Sequence, residues 1–571
     1  MKLSGWDTLI IGAGIGGLTA AAKLVKAGLR VLVLERNPHP GGTAYVYQRR
    51  GFSFPMGPLG FSNPGVVNEI LKRCGGREEL SFDRIHFHLR AFDLNLPLSL
   101  PFSEMVGAFT KHFPSDGDAV SQFFEDVENT TMSRQSTSDG DRARRQKMLE
   151  QMAAQDYLRA SIKDRSLRRI LGSLGTREPT SSFSLQAAMW RLMSEEGIWY
   201  PRGGMRLFCE MLTRMVEEVH GEEEKVGDLG NKELKNESLG SIHGQVGWIP
   251  RLPALGRGGE ESRPYNQIYI SRKPRPVGGE LHLRREVDRI RIMNGRISGI
   301  VLKDGTEIES SSVISNADYK TTFLKLINRD VLPEKWYRAV SEARQTGSVL
   351  QVCLGVHEKK VDLSAFAHAS RLIYRRSREA NLGNEEMDWT VNEVDAGVLA
   401  GQELEITLWS RDDRMLAPPD GAIIVIRTEV PYSHFSRYRV GFRKRSSEYV
   451  NYKTRLGQAL VREVTHLLPG LDGAIIVMDV ATPLTFEDQG GRSEGAVAGW
   501  SWDYDDFRDS QPRELIRTPI RGLFMAGYQA FSGLFMGGVP TAMESGLRAA
   551  HAVLEGAGPT DEVLIPSKTR A

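Results

Sequence analysis

Residues 7–37 read DTLIIGAGIGGLTAAAKLVKAGLRVLVLERN, and this stretch decides the fold. Asp7 to Ile11 is a short apolar strand, and Gly12, Gly14 and Gly17 follow it at once in a GxGxxG turn. Leu18 to Ala27 is Ala-rich and helical in pattern, Gly28 stops it, and Val31 to Leu34 is a second buried strand closed by Glu35. Each glycine has a physical task. Gly12 permits the tight turn, Gly14 lets a pyrophosphate approach the backbone, and Gly17 lets the helix pack close to the strand. The phosphates then rest on the helix N-terminus, where unpaired N–H groups and the dipole favour an anion. Glu35 is placed to accept hydrogen bonds from both ribose hydroxyls, and a carboxylate there disfavours a 2′-phosphate. Strand, turn, helix, strand and acid agree on a βαβ dinucleotide-binding unit.

The kind of dinucleotide is read further along. Arg36 leads into Gly41-Gly42-Thr43, a second glycine turn directly after the ribose acid. Near the other end, Gly522 to Gly527 reads as a strand ending in glycine. A loop then reaches Gly537, Gly538, Val539 and Pro540, which open a helix running to about Leu554. Pro540 suits a first helical turn. A second helix N-terminus of this kind can face the carbonyl end of an isoalloxazine ring and stabilise its anionic reduced form. FAD is therefore the expected occupant.

At these residues the sequence resembles the phytoene desaturase, carotenoid isomerase and retinol saturase group of FAD flavoproteins. The resemblance is carried in order by GAGIGG with ERNPHPGGT, by GFSFPMGP (Gly51 to Pro58) and by WYPRGGM (Trp199 to Met205). It continues through REVDRI (Arg285 to Ile290), SNAD (Ser315 to Asp318), LAPPDG (Leu416 to Gly421), ATPLTFE (Ala481 to Glu487) and the C-terminal GGVPTAMESGLRAA. The resemblance implies a Rossmann-type, glutathione reductase-like FAD domain assembled from separated segments, with a mixed α+β substrate domain. It implies that Gly12, Gly14, Gly17, Glu35, Arg36, Gly41 and Gly42 hold the ADP half and that Val287 lies by its backbone against the adenine. Gly527 and the Gly538-Val539-Pro540 helix start would meet the diphosphate, ribityl and flavin ring. Three positions depart from the group's pattern. Tyr528 stands where an acid is usual, Pro55 where an Asp is common, and Glu544 where a small or apolar residue is usual.

The segments follow from these anchors. Residues 1–74, 198–330 and 511–571 are expected to build the FAD domain, and 75–197 with 331–510 the substrate domain. Within 75–197, Phe82, Ile85, Phe87 and Leu89 read as one alternating strand ahead of a largely helical stretch. Residues 221–280 are rich in Gly, Pro and charge and read as a solvated surface insertion. A docking loop around Trp248 and Tyr265 to Ile270 is the other reading.

Composition sets the outer bounds. The 571 residues are 40% hydrophobic, so disorder throughout is excluded. The 74 Lys and Arg nearly balance 72 Asp and Glu, and no basic excess points to nucleic acid. Cys74, Cys209 and Cys353 are scattered without metal-ligand spacing, so neither a metal site nor a disulfide scaffold is expected. The pattern fits a reducing compartment, cytoplasmic or plastid-like. No signal peptide or apolar run long enough to cross a membrane is seen. The expected reaction partner is an apolar small molecule, whose desaturation, saturation or isomerisation would reuse one FAD apparatus. Such a molecule must be collected from lipid, and Arg437 to Arg445, with aromatics among its cations, is the candidate contact with an anionic membrane surface. Glu544, the carboxylate on the flavin-proximal helix, is the candidate base. A Glu near a helix start also answers the dipole without catalysis. Two alternatives stand beside the leading one: a flavin amine oxidase, with Tyr528 and Phe531 as its aromatic pair, and a non-enzymatic prenyl-protein escort of the same architecture.

Overall fold

The runs Thr8–Ile11 and Val31–Leu34 are buried at every position, as strands covered on both faces must be. In the computed structural model they are the middle of a five-stranded parallel sheet. Its order is Gly279–His282, Val31–Leu34, Thr8–Ile11, Val313–Ser315 and Leu523–Met525. The structure describes residues 2–57, 60–91, 93–131, 140–217, 278–376, 401–501, 503–504, 514–531 and 538–560. One layer of this α/β Rossmann-type half is thus drawn from three distant stretches of chain. The helix Ile15–Lys26 covers the sheet, and the C-terminal helix Gly538–Leu554 packs on it. The two helices touch backbone to backbone, since a Cβ on Gly546 would lie 2.2 Å from the carbonyl oxygen of Gly16.

The other half is a mixed seven-stranded sheet, ordered Ile475–Ala481, Ser348–His357, Gly421–Val430, Leu404–Leu408, Arg371–Arg375, Phe87–Ala91 and Leu94–Pro97. Alternation gives it two unlike faces. Leu350, Val352, Leu354, Ile424, Ile426 and Ile406 form a buried aliphatic layer with the helix Glu448–Thr465. Cys353, Ile423 and Val425 look the opposite way and share a core with the nucleotide half. Short helices between residues 102 and 191 gather around Phe109, Phe123, Phe124 and Trp190. Two of them start on side-chain caps, Asp164 accepting from the Leu167 N–H and Ser182 from the Leu185 N–H.

One sequence expectation is corrected. Phe82 to Leu89 is not one strand but two, Phe82–Ile85 paired with Ile198–Pro201 and Phe87–Ala91 inside the seven-stranded sheet. The break falls at His86, where the chain leaves its partner Ile198–Pro201 and takes up a new one, Arg371–Arg375. The segment 221–280 lies outside the described residues except for its last three, and Gly537 also lies outside them. Among the described residues no helix is long and apolar enough to cross a membrane. The three cysteines are free and buried.

Candidate functional site

In an open parallel sheet a ligand crevice opens beyond the carboxyl ends of the strands where the chain order reverses. Here that point lies between Thr8–Ile11 and Val313–Ser315, and Gly12 and Asn316 come directly after those two strands. Around it, Gly12, Gly14, Gly42, Thr43, Asn316, Gly527 and Tyr528 keep accessible surface among buried neighbours and so outline a groove.

Glu35 is buried and rigidly held. The Ala13 N–H donates to its Oε2 at 2.8 Å and the Asn37 N–H to its Oε1 at 2.8 Å. One lone pair on each oxygen remains for a ligand hydroxyl. Val287 opens its strand near this acid, because the Arg285 N–H donates to the Glu35 carbonyl at 2.8 Å. Gly41 returns the chain to the first turn through its N–H to the Ala13 carbonyl at 2.8 Å. At Gly17 a Cβ would sit 2.2 Å from the Gly12 carbonyl oxygen, so no side chain fits. Gly527 has φ +98° and donates its N–H to Ser545 Oγ at 2.8 Å, which ties the last strand to the C-terminal helix. Val539 and Pro540 are buried at the start of that helix, and Gly538 before them is exposed.

Arg36 reaches away from the first turn. Its Nη2 donates to the Asp488 carbonyl at 3.0 Å, and burial, then the nearby charge of Arg443, lowers its pKa. The Arg437–Arg445 run meets the same place. It is a small hairpin, Arg439–Gly441 against Lys444–Arg445. Arg439 pairs with Glu487 and Asp488, Arg445 with Asp488, and Arg443 donates to the Asp488 carbonyl at 3.0 Å. Much of its charge is thus engaged within the molecule. Arg437, Val440, Phe442, Arg443 and Lys444 remain exposed.

Glu544 is placed on the C-terminal helix with its Oε1 accepting from Arg548 Nε at 2.8 Å. That is ordinary i,i+4 pairing along a helix surface. Arg548 also lies over the Phe531 ring at 4.1 Å.

Three residues carry roles that the sequence reading left unassigned. Asn316 Nδ2 donates to the Gly12 carbonyl at 3.4 Å, and its Oδ1 is buried without a partner beside Gly16 and Gly527. Asp318 is a hub. Its carboxylate accepts from Gln529 Nε2 at 3.0 Å, Ser493 Oγ at 2.6 Å, Gln345 Nε2 at 3.3 Å and the Thr321 N–H at 2.9 Å. It fixes the neighbours of both Tyr528 and Arg492. Arg492 donates to the Thr43 hydroxyl at 3.2 Å and to the Ala496 carbonyl at 3.3 Å. A polar Asn-Ala-Asp at the carboxyl end of a buried strand was the available signal for the first two. Arg492 sits in a glycine-bearing loop and gives no such signal.

The architecture defines a Rossmann-type α/β nucleotide-binding fold, and comparison with known proteins agrees. Residues 10–74 match the model of the NAD(P)-binding Rossmann-like domain. The chain is related along 96% of its length to the chloroplastic prolycopene isomerase of Daucus carota, at 24% identity and over 80% of that relative. It is related at 22% identity to the lycopene-forming phytoene desaturase of Pantoea ananas, over 96% of this chain and 99% of that one. Solved structures share the fold over nearly the whole chain. An oxidoreductase from Methanosarcina mazei superposes with TM-score 0.58 at 16% identity, covering 96% of this chain and 100% of its own. A putrescine oxidase mutant superposes with TM-score 0.56 at 14% identity, covering 97% and 100%.

Proposed function

We propose that this chain is an FAD-dependent oxidoreductase acting on carbon–carbon bonds of a long apolar, isoprenoid-like substrate. The observation that carries the reading is the groove itself. It starts at the ribose acid Glu35, passes the first helix N-terminus at Gly14, and ends at Tyr528, beside the Gly527 that bonds Ser545 of the C-terminal helix. A dinucleotide with an extended second half fits such a path.

The residues present suit FAD. Glu35 has free lone pairs for the ribose, and the glycines around Gly14 and Gly42 leave room for a diphosphate at a helix N-terminus. Asn316 Oδ1 is an orphaned acceptor inside the cradle. A buried acceptor without a donor costs free energy, and a ligand donor there removes that cost. Tyr528 replaces the acid usual in the resembled group and still offers a hydroxyl. When bound, the flavin would supply the hydride acceptor or donor. The chain supplies position, exclusion of water and a polar wall. The substrate is collected from lipid, and the exposed hairpin edge at Val440, Phe442 and Lys444 is the proposed point of peripheral contact with an anionic membrane surface.

The test is direct. The purified protein should carry a flavin that heat releases as FAD, and the flavin should be reduced or turned over by polyenes presented in vesicles. Protein that stays colourless after incubation with FAD would sink the reading. Flavin reduced by amines and not by polyenes would replace it with the amine oxidase.

A further inference from the structure

The first helix, Ile15–Lys26, begins on Gly14 with no side-chain cap and no acid in its first turn. Its opening N–H groups are left for an anion. The second glycine turn lies against this point. Gly41 and Gly14 form a β-bridge, and a Cβ on Gly42 would sit 3.2 Å from the Gly14 Cα. Thr43 comes next in the chain and keeps surface in the same groove.

A cation reaches this turn from far along the sequence. Arg492 Nη2 donates to Thr43 Oγ1 at 3.2 Å across a separation of 449 residues. Its Nη1 donates to the Ala496 carbonyl at 3.3 Å. Both acceptors are neutral, and among the described residues no carboxylate forms an ion pair with this guanidinium. These bonds use two of the five N–H donors of an arginine and leave the others. Arg492 itself keeps accessible surface, as do Gly14 and Gly42.

The segment that carries Arg492 is fastened to the groove. It leaves the helix Pro483–Gly490, which follows the edge strand Ile475–Ala481 of the seven-stranded sheet. The Asp488 carbonyl accepts from Arg36 Nη2 at 3.0 Å and the Gln489 carbonyl from Asn37 Nδ2 at 3.4 Å. A Cβ on Gly490 would meet Thr43 Cγ2 at 3.4 Å, and one on Gly491 would lie 2.8 Å from Arg36 Nη2. Residues 488–492 therefore run from beside the ribose acid Glu35 to the second glycine turn. A buried charge without a counter-charge is costly. A diphosphate answers both needs at this place, taking the N–H groups of the helix end on one part and a planar donor fork on the other.

We propose that Arg492 is a cofactor-binding residue that holds the diphosphate of the dinucleotide together with the N-terminus of Ile15–Lys26. This rests on the reading that the groove takes FAD. It adds that the cofactor is gripped from both halves of the molecule, the second grip coming from the loop beyond the seven-stranded sheet.

The experiment removes flavin from the purified full chain and measures the Kd of FAD, ADP, adenosine and riboflavin by calorimetry. ADP carries the diphosphate without a flavin, and adenosine and riboflavin carry no phosphate. Arg492→Met should weaken FAD and ADP at least tenfold and leave adenosine and riboflavin as in the parent. Arg492→Lys keeps the charge and loses the fork, so it should recover part of the loss, which guards against a folding defect in the Met variant. At equal concentration FAD should raise the thermal midpoint of the parent more than that of the Met variant. Unchanged affinity for FAD and ADP in Arg492→Met would overturn the assignment, and so would an equal loss for all four ligands. A parent that binds ADP through Arg492 and refuses FAD would remove the flavin reading while the diphosphate contact stands. A parent that binds none of the four would remove both.

Discussion

The parallel sheet and the seven-stranded sheet place function in opposite ways. In the parallel sheet the strand residues are spent on packing, and the groups proposed to face the cofactor, Gly12, Glu35, Asn316 and Gly527, sit just past the strand ends. In the seven-stranded sheet the polar groups lie along a face, with Glu405, Arg427, Gln351 and Asp479 alternating with aliphatic residues of the opposite layer. A site at strand ends is compact in sequence. A site on a sheet face is scattered over strands that are distant in the chain and appears only once their register is known.

The largest expected effect falls on the strand-end site. Glu35→Ala removes the acceptor for the Ala13 and Asn37 N–H groups as well as for a ribose. Orphaning buried donors costs about 1–3 kcal/mol each. FAD retention should fall by well over tenfold and the thermal midpoint of the flavin-free protein should drop as well. Equilibrium dialysis with FAD checks the first and calorimetry the second. Full flavin occupancy in this variant would break the proposed placement of the cofactor.

This contrast also explains which parts of the molecule were legible in the sequence. The βαβ unit could be read because strand, glycine turn and acid are contiguous over residues 7–37, and local spacing alone specifies them. The C-terminal helix start at Val539-Pro540 was readable for the same reason. Asn316, Asp318 and Arg492 were not, because their meaning lies in partners far along the chain: Gly12, Gln529 and Thr43. The basic run at Arg437–Arg445 was visible as charge. Its pairing with Glu487 and Asp488 was not, because a carboxylate's reach depends on how a hairpin and a helix pack. The two strands at Phe82–Ala91 were blurred by apolar residues that continue across the break at His86.

The link between the two sheets should be the next most sensitive point. Asp318→Ala leaves Gln529, Ser493 and Gln345 without their shared acceptor. We expect a loss of about 3 kcal/mol, as for breaking a buried polar network. Asp318→Asn should be milder and should still loosen Arg492. Urea unfolding gives the first quantity, and equilibrium dialysis with FAD reports the second, since Arg492 bonds the groove residue Thr43. An Asp318→Ala protein as stable as the parent would mean that the two halves are held together elsewhere.

A smaller effect belongs to the seven-stranded sheet alone. Burial first, then the charges of Arg90, His368 and His86, push the His88 pKa down to about 4. An unfolded histidine titrates near ~6.5. The folded pKa is the lower one, so below about pH 6.5 the unfolded chain takes up a proton that the fold refuses. Stability therefore falls as pH drops through the window between those two values. Its share at pH 5 should be at most about 2 kcal/mol. His88→Leu, whose buried Nδ1 has no partner to lose, should flatten the thermal midpoint across this window. An unchanged pH slope in the variant would assign the acid sensitivity to other groups.

The smallest effect concerns the hairpin that touches both halves. Arg439 and Arg445 are paired, and Arg443 shares the Asp488 carbonyl with Arg36, so these cations are poorly placed to be donated to lipid. Outward contact is left to Val440 at 65% exposure, Phe442 at 67%, Lys444 and the exposed Arg437. A cation near an anionic surface contributes about 1 kcal/mol, and a fully buried apolar side chain about 1.5–3 kcal/mol. Val440→Ser with Phe442→Ser should therefore weaken cosedimentation with anionic vesicles more than Lys444→Ser, which should cost only severalfold and mostly at low salt. Arg443→Ser should act differently. It releases the Asp488 carbonyl that also anchors Arg36, so its effect should appear in FAD retention rather than in vesicle binding. If Arg443→Ser lowers vesicle binding and leaves FAD untouched, the hairpin belongs to the membrane and not to the nucleotide half. If the parent never sediments with vesicles, the lipid contact is withdrawn while the groove from Glu35 to Tyr528 is unaffected.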